Sequence, residues 1–328
     1  MALVGLALAG GACGDDDSAP PAQTPTATSA ATSAAASPSA VKAAYPVKVT
    51  DLLGREVEIK AKPVTIVAIS PTAVEYVYAL GGTVAGRSAS VDFPEAAKQV
   101  KEVGTAYQPS FETILSLKPD LVVADSVIQS QPDLRKSLEG LGVPVIFAGA
   151  DSFQKVLDGI TLMGKVLDAQ DKAKTLNASI TKARDDAKAA LAANKASAVA
   201  LIASRDQTLY AAKPSSYVGD LLQQLGITNP AASQPDSGPF PGYSTLAPEK
   251  LVEYNPDFIF TITPAPPGTA PLLSTLIPGI PPFKGLKAVT GKHVVELDLE
   301  LFLQAPGPRV IDAFKAITAA VSGKAPGS

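Results

Sequence analysis

The sequence predicts an α/β protein with two Rossmann-like lobes, each built on a mostly parallel central sheet and bridged by a single long helix. A helix–strand unit occurs once in each half of the chain, and further apolar strand segments alternate with amphipathic helices around it. Between the halves, residues 169–193 contain no proline or glycine and are rich in alanine and lysine, which favours one long helix. At 328 residues, of which 46% are apolar, the chain is long enough for two cores.

The repeated unit consists of an aromatic residue, a short polar loop, a helix whose first turn carries a glutamate, a Pro-Asp turn and an apolar strand. Tyr107 and Glu112 begin the first copy, and Tyr243 and Glu249 begin the second, with the same spacing from glutamate to Pro-Asp. A glutamate in the first turn suits the positive end of the helix dipole, and Pro-Asp ends the helix. Two such copies predict two similar lobes that face each other across a cleft.

In the first half of the chain, apolar runs and turn residues predict a hairpin followed by alternating helices and strands. The predicted strands cover residues 47–49, 57–59, 66–69, 84–86, 121–124 and 143–147. One predicted helix follows Ser70, and others cover residues 95–100, 111–117 and 133–141. Thr72 and Glu75 have the spacing of a capping box, so we interpret Glu75 as a helix-capping residue.

Helical spacing from Phe153 to Leu167 precedes the predicted bridge, residues 169–195, for which the alternative is one more packing helix. The bridge separates an N-terminal lobe, residues 45–168, from a C-terminal lobe, residues 196–328. Predicted elements of the second lobe, besides the repeated unit, cover residues 199–203, 209–210, 217–225, 294–297 and 309–321. The proline-rich residues 263–283 are expected to form an irregular surface segment.

Residues 1–13 are predicted to be a signal peptide that ends in a lipid-bearing cysteine, Cys13. The small residues before Cys13 and the aspartates after it resemble the lipobox of a bacterial lipoprotein, although Gly10 departs from that pattern. The apolar run is short for a signal sequence, so we expect the printed start to fall inside a longer one. Residues 14–44 contain small and polar residues without apolar periodicity, which predicts a disordered tether. The alternative is a frayed terminus with an incidental cysteine.

Composition argues against several classes of function. A net charge of −3 offers no basic field for nucleic acid, and no apolar run is long enough to span a membrane. A single histidine, His293, and a single cysteine disfavour a bare zinc or manganese site, and no cofactor is expected. We find no phosphate-binding loop, dinucleotide fingerprint or nucleophile elbow, so an enzyme is disfavoured.

Five motifs in order carry a resemblance to a known family. They are Asp51-Leu-Leu-Gly-Arg-Glu-Val, Ile66-Val-Ala-Ile-Ser-Pro-Thr-Ala-Val-Glu75, Phe111-Glu-Thr-Ile-Leu-Ser-Leu-Lys-Pro-Asp-Leu-Val-Val, Gly291-Lys-His-Val-Val-Glu-Leu-Asp and Gly307-Pro-Arg309. From about residue 47 to 321, the chain resembles the class III substrate-binding proteins of ABC importers, which deliver iron–siderophores, haem or cobalamin. The resemblance implies two lobes joined by one long helix, with the ligand in the cleft and only modest hinge motion.

The resemblance also implies a role for the repeated glutamates. In the family, one exposed glutamate per lobe docks into arginine pockets on the importer's membrane subunits, and Glu112 and Glu249 fall on those positions. Two charges held apart by a rigid bridge would fix the orientation of the protein on its permease and ATPase partners. The alternative is that each glutamate merely stabilises a helix N-terminus.

Seven residues are candidate ligand contacts: Tyr107, Tyr243, Arg87, Arg205, Phe240, Phe302 and Arg309. The resemblance places the two tyrosines and, by family position, Phe240, Phe302 and Arg309 at the cleft. Arg87 and Arg205 follow strand ends, where open α/β sheets bind ligands, and a guanidinium suits an anionic ferric chelate. Ordinary loop packing or a surface position is the alternative for each tyrosine and for Arg87 and Arg205.

A ferric siderophore is the leading ligand class for a monomeric, lipid-anchored receptor outside the cytoplasm. Cobalamin or another corrinoid and haem stay open, although the chain has no tryptophan, which cobalamin binders of the family favour in the cleft. A surface interaction protein that does not transport is the alternative from another class.

Overall fold

The hairpin at the start of the folded body is fixed by one buried aspartate. In the computed structural model, which describes residues 45–125, 131–265 and 268–323, β1 (Val47–Thr50) pairs antiparallel with β2 (Glu56–Ile59). The Asp51 carboxylate accepts hydrogen bonds from the backbone of Leu53 and Arg55 and pairs with the Arg55 guanidinium at 2.7 Å. The predicted signal segment, Cys13 and the tether lie outside the described residues.

The first sheet is entirely parallel and contains five strands in the order β5-β4-β3-β6-β7. Its strands are β3 (Ile66–Ala68), β4 (Gly86–Arg87), β5 (Lys101–Glu102), β6 (Leu121–Ala124) and β7 (Val145–Phe147). The helices among them are α1 (Pro71–Ala79), α2 (Phe111–Ser116) and α3 (Pro132–Glu139). Residues 95–97 form a single 3₁₀ turn rather than the predicted longer helix.

The second sheet also has five strands, in the order β10-β9-β8-β11-β12, and only β9 runs against the others. Its strands are β8 (Ala198–Ala203), β9 (Leu209–Ala212), β10 (Tyr243–Thr245), β11 (Phe258–Ile262) and β12 (Val294–Glu296). The helices in this half are α6 (Tyr217–Gln224), α7 (Pro248–Tyr254), α8 (Leu273–Leu276), α9 (Lys287–Thr290) and α10 (Val310–Ser322). The two sheets confirm the predicted α/β class.

Two helices connect the last strand of the first sheet to the first strand of the second sheet in the sequence. They are α4 (Phe153–Val166) and the 22-residue α5 (Gln170–Leu191). Both pack into one hydrophobic core that also takes alternate residues from the central strands of both sheets, such as Ala68 and Ala200. The intervening strand residues, such as Val67 and Val199, face separate outer cores. Because the two sheets share a close-packed core, large independent motions of the lobes are disfavoured.

The repeated unit is confirmed, and its two copies occupy equivalent places. In each sheet the repeated strand, β6 or β11, is the fourth strand and lies beside the central one. The aspartates of the two Pro-Asp turns also act alike: Asp120 accepts from the backbone N–H of Thr65, and Asp257 accepts from the backbone N–H of Ser197. Each therefore ties the start of the repeated strand to the residue that precedes the neighbouring strand.

We expect Asp120→Ala and Asp257→Ala each to lower the free energy of unfolding by about 1–2 kcal/mol, because each removes charge-assisted hydrogen bonds to the backbone. Urea denaturation followed by circular dichroism measures the change. Asp186→Ala, which removes an exposed partner of Lys182 within α5, is the matched control and should change stability less. Equal effects at all three positions would contradict the proposed role of the Pro-Asp turns.

The prediction of an irregular surface segment at residues 263–283 is wrong in part. Leu273 starts α8, and Ile277 and Phe283 are fully buried in the outer core of the second sheet. The prolines limit the segment to short helical turns, but its apolar residues cover one face of the sheet.

Candidate functional site

Both repeated helices begin at the carboxyl edge of their sheets. Pro109, just before α2, pairs with Gly104, which follows the end of β5. In the second half, α7 begins directly after β10, a strand that runs parallel to β8. In open α/β sheets, this edge is where ligands bind.

Glu112 and Glu249 occupy the same position, the second residue of their helices, and both are exposed. Within the part of the chain that the structure describes, neither carboxylate forms an ion pair or a side-chain hydrogen bond. Neither glutamate therefore stabilises its own lobe through a partner side chain.

The two tyrosines of the repeated unit lie in different environments. Tyr107 is 59% exposed, in the loop at the carboxyl edge of the first sheet, and burial followed by the nearby Asp125 carboxylate raises the pKa of its phenol. Tyr243 is only 6% exposed and packs in the shared core from β10, where burial raises its pKa. The position of Tyr107 is compatible with a ligand contact, whereas that of Tyr243 argues against one.

The two candidate arginines also differ. The Arg87 guanidinium is buried and donates to the carbonyls of Ser88 and Lys98 and to the Glu102 carboxylate. Arg87 thus holds its own loop together, which argues against a ligand contact. Arg205 is exposed in the turn after β8 and has no ion pair or hydrogen bond to any residue that the structure describes.

Of the two candidate phenylalanines, Phe240 is half-buried, whereas Phe302 is buried and cannot contact a ligand in this structure. The Phe240 ring meets the Tyr210 ring edge-on, with centroids 5.0 Å apart. Phe302 is 1% exposed and packs in the shared core, which argues against the prediction that it lines the cleft.

Arg309 joins the two halves of the molecule in a largely buried ion cluster. Its Nε donates to Oε1 of Glu75 in α1 at 2.7 Å, and its Nη2 lies 3.1 Å from Oε2 of Glu300. The interpretation of Glu75 as a capping residue is wrong: Ser70 is the N-cap, and its Oγ accepts from the backbone N–H of Ala73. Glu75 lies further along α1, with a side chain that is 2% exposed.

Two carboxylates share one guanidinium in this cluster, so the cluster carries a net negative charge when both are ionised. Burial raises the pKa of Glu75 to about 7, against the lowering effect of its hydrogen bonds to Arg309. Burial also raises the pKa of Glu300. One oxygen of each carboxylate, Oε2 of Glu75 and Oε1 of Glu300, has no hydrogen-bond partner among the described residues.

Phe93 is a residue of this region that the sequence analysis missed. Its ring is 44% exposed and lies 4.4 Å from the centre of the Arg309 guanidinium. The only local signal is an aromatic residue in a turn before Pro94, which is too common to single out.

His293 lies at the opposite edge from the candidate ligand contacts. Its ring stacks on that of Phe258, the first residue of β11, at 4.5 Å between centroids. The described ranges contain no group of three or more histidine, cysteine, aspartate or glutamate side chains suited to a metal ion. None of the helices in those ranges is long and apolar enough to cross a membrane.

Comparison with known proteins identifies the family. A family model described as periplasmic binding protein matches residues 66–301. The chain is 27% identical, over 84% of its length, to an uncharacterised ABC transporter substrate-binding lipoprotein of Bacillus subtilis, YvrC, and the match covers 86% of that protein. It is 28% identical, over 69% of its length, to YfiY, a probable siderophore-binding lipoprotein of the same bacterium, 71% of which is covered.

Among solved structures, the petrobactin-binding protein YclQ of Bacillus subtilis superposes with a TM-score of 0.73 at 20% identity, covering 84% of this chain and 98% of YclQ. The catecholate-siderophore-binding protein VctP of Vibrio cholerae superposes with a TM-score of 0.70 at 18% identity, covering 85% of this chain and 99% of VctP. At these identities the superpositions establish the fold. The predicted resemblance is confirmed, and the chain belongs to the periplasmic binding protein family.

Proposed function

We propose that this protein is the substrate-binding lipoprotein of an ABC importer, which captures a ferric-siderophore-type chelate between its lobes and delivers it to the permease. The observation that carries the proposal is that Glu112 and Glu249 lie exposed at equivalent positions of two similar lobes, and neither pairs with any residue that the structure describes. Two matching charges suit a partner with two matching cationic pockets, such as a permease with two membrane subunits and their ATPases.

The proposed chelate site lies at the carboxyl edges of the two sheets. Tyr107 offers a partly exposed ring and phenol on one side, and Arg205 offers an exposed cation on the other. Phe240 and the exposed Phe93 beside Arg309 add aromatic surface. A guanidinium together with exposed aromatic rings suits an anionic, partly apolar ferric chelate.

The names of relatives support this class of ligand without separating its members. YfmC of Bacillus subtilis, an Fe(3+)-citrate-binding protein, is 28% identical over 48% of the chain. A vitamin B12-binding protein of Salmonella choleraesuis is 31% identical over 36% of the chain. A corrinoid or haem therefore stays the second candidate, although the position of His293 at the far edge of its sheet argues against axial ligation of haem in the cleft.

The lipoprotein relatives also favour an extracytoplasmic location, with Cys13 as the lipid-bearing residue and residues 14–44 as the tether. We infer binding without turnover, by a monomer. A surface interaction protein without transport is the competing proposal, and it requires no role for the two repeated glutamates, Glu112 and Glu249.

Uptake assays test the proposal in a host strain that lacks the chromosomal gene. Cells carrying the full-length protein are supplied with labelled ferric citrate, ferric hydroxamates, ferric catecholates, haemin and cyanocobalamin. We expect the uptake of one class of chelate to depend on the protein. Glu112→Ala with Glu249→Ala should reduce that uptake by at least about tenfold, which corresponds to a loss of about 1.4 kcal/mol of docking energy.

Affinity of the purified protein for the same chelate, measured by tyrosine fluorescence with inner-filter correction, should not change in the double variant. Glu56→Ala with Glu58→Ala, which alters exposed glutamates of β2, is the matched control and should transport normally. If the double variant loses chelate affinity as much as it loses uptake, the docking role of the glutamates is contradicted. If the uptake of no chelate depends on the protein, the surface interaction protein is favoured.

A further inference from the structure

Each repeated helix exposes a large apolar residue three positions after its glutamate. Leu115 follows Glu112 and is 47% exposed, and Val252 follows Glu249 and is 42% exposed. The other large apolar residues that the described part of the chain exposes are Val64, Phe93, Tyr107, Leu272 and Leu276. Leu115 and Val252 are distinguished from these because they occupy the same position in both copies of the repeated unit.

The two helices also share their burial pattern. In each helix, one residue between the glutamate and the exposed apolar residue faces inward. This residue is Ile114 in α2 and Leu251 in α7, and both are fully buried in the outer cores. This contact fixes the rotation of each helix on its sheet. Residues three apart on a helix lie on the same side, with Cβ atoms about 5–6 Å apart, so each glutamate has its apolar neighbour beside it on the exposed side.

A single exposed leucine needs no explanation, since much of any protein surface is apolar. Here, however, a charged residue and an apolar residue recur together at the same position of two lobes, and this recurrence needs an explanation. Neither Leu115 nor Val252 contributes to a core, and neither glutamate has a partner within the described residues. The shared feature is therefore directed outward in both lobes.

We propose that Leu115 and Val252 are part of the permease-docking surface, so that each lobe presents a glutamate and an apolar side chain to one membrane subunit. The inference rests on the proposed function and adds the chemistry of the receiving site: a cationic group beside an apolar wall, present once on each subunit. The apolar contact excludes water from the rim of the ion pair, which strengthens the attraction between the two charges.

Leu115→Gln with Val252→Gln tests the proposal, because glutamine forms helices as well as leucine and better than valine but removes the apolar surface. In the uptake assay above, we expect this double variant to take up the chelate about tenfold more slowly, with its chelate affinity and thermal stability unchanged. Leu272→Gln with Leu276→Gln is the matched control, since these leucines are 44% and 48% exposed without a counterpart in the other lobe. The control should transport like the parent.

A measurement that does not depend on the cargo is photo-crosslinking in the host. A crosslinking amino acid at position 115 or 252 should yield an adduct with a membrane subunit of an ABC importer, and the same group at position 276 should not. Adding Glu112→Ala and Glu249→Ala should abolish both adducts.

The two assays separate the possible failures. Adducts absent at 115 and 252, or as strong at 276, would overturn the inference, as would full uptake by the glutamine variant while the glutamate variant fails. If the glutamate variant also transports and crosslinks normally, the docking role of the glutamates fails. If no chelate is taken up in a way that depends on the protein, the proposed function itself fails.

Discussion

Replacing Arg309 with alanine is expected to lower the free energy of unfolding by about 3–5 kcal/mol, the cost of removing one partner from a buried ion pair. The substitution leaves the Glu75 carboxylate, which is 2% exposed, and that of Glu300 without their shared cation. It also removes the stacking of the guanidinium on Phe93. Urea denaturation at pH 8 measures the change.

Lys315→Ala is the matched control, because Lys315 pairs with Asp312 on the exposed side of α10 and is 70% exposed. Exposed pairs of this kind contribute little, so stability should hardly change. Arg309→Lys should fall between the two, since it keeps the charge but loses the two-pronged geometry. If Arg309→Ala is no more harmful than the control, the cluster does not hold the two halves of the molecule together.

The elements that the sequence predicts best are those with local signals at both ends. The repeated unit is such a case, because a first-turn glutamate and a Pro-Asp turn limit each helix, and the following strand is almost entirely apolar. The same signals place Glu112 and Glu249 at equivalent, exposed positions. Two copies of one local pattern thus predict the symmetry of the fold as well as its elements.

The ion cluster could not be predicted in the same way, because Glu75 and Arg309 are 234 positions apart. A local rule, the capping box, was available to explain Glu75 and was wrong. Pro71 at the first helical position starts α1 two residues earlier than that rule requires, with Ser70 as the cap. Glu75 therefore falls two residues further into the helix, on its buried side.

The predicted aromatic contacts show a second limit. Tyr107 and Tyr243 match in sequence, but Tyr243 lies in β10, whose pairing with the reversed strand β9 buries it. In the described part of the first lobe, no strand paired with a reversed neighbour directly precedes the repeated helix, so Tyr107 stays in an exposed loop. Whether an aromatic residue faces a core or a cleft depends on strand pairing, which no local pattern specifies.

The stability of the protein is expected to rise by about 3 kcal/mol as the pH falls from 8 to 4.5, because of the Glu75 carboxyl group. Burial raises the pKa of Glu75 from 4.5 to about 7 in the folded state, so in this window the folded protein binds a proton that the unfolded chain does not. The stabilisation by that proton is complete below pH 4.5 and is lost as the pH rises through 7. Chemical denaturation at half-unit pH steps measures the slope.

Glu75→Gln should abolish this rise, since glutamine is uncharged at every pH and keeps the shape of the side chain. Glu300→Gln should reduce it, because Arg309 would then pair with Glu75 alone and the buried cluster would carry no net charge. Glu253→Gln, on the exposed side of α7, is the control and should leave the slope as in the parent. A rise that persists in Glu75→Gln would assign the proton to another group, whereas its loss in that variant and partial loss in Glu300→Gln would establish that two carboxylates compete for one guanidinium between the lobes.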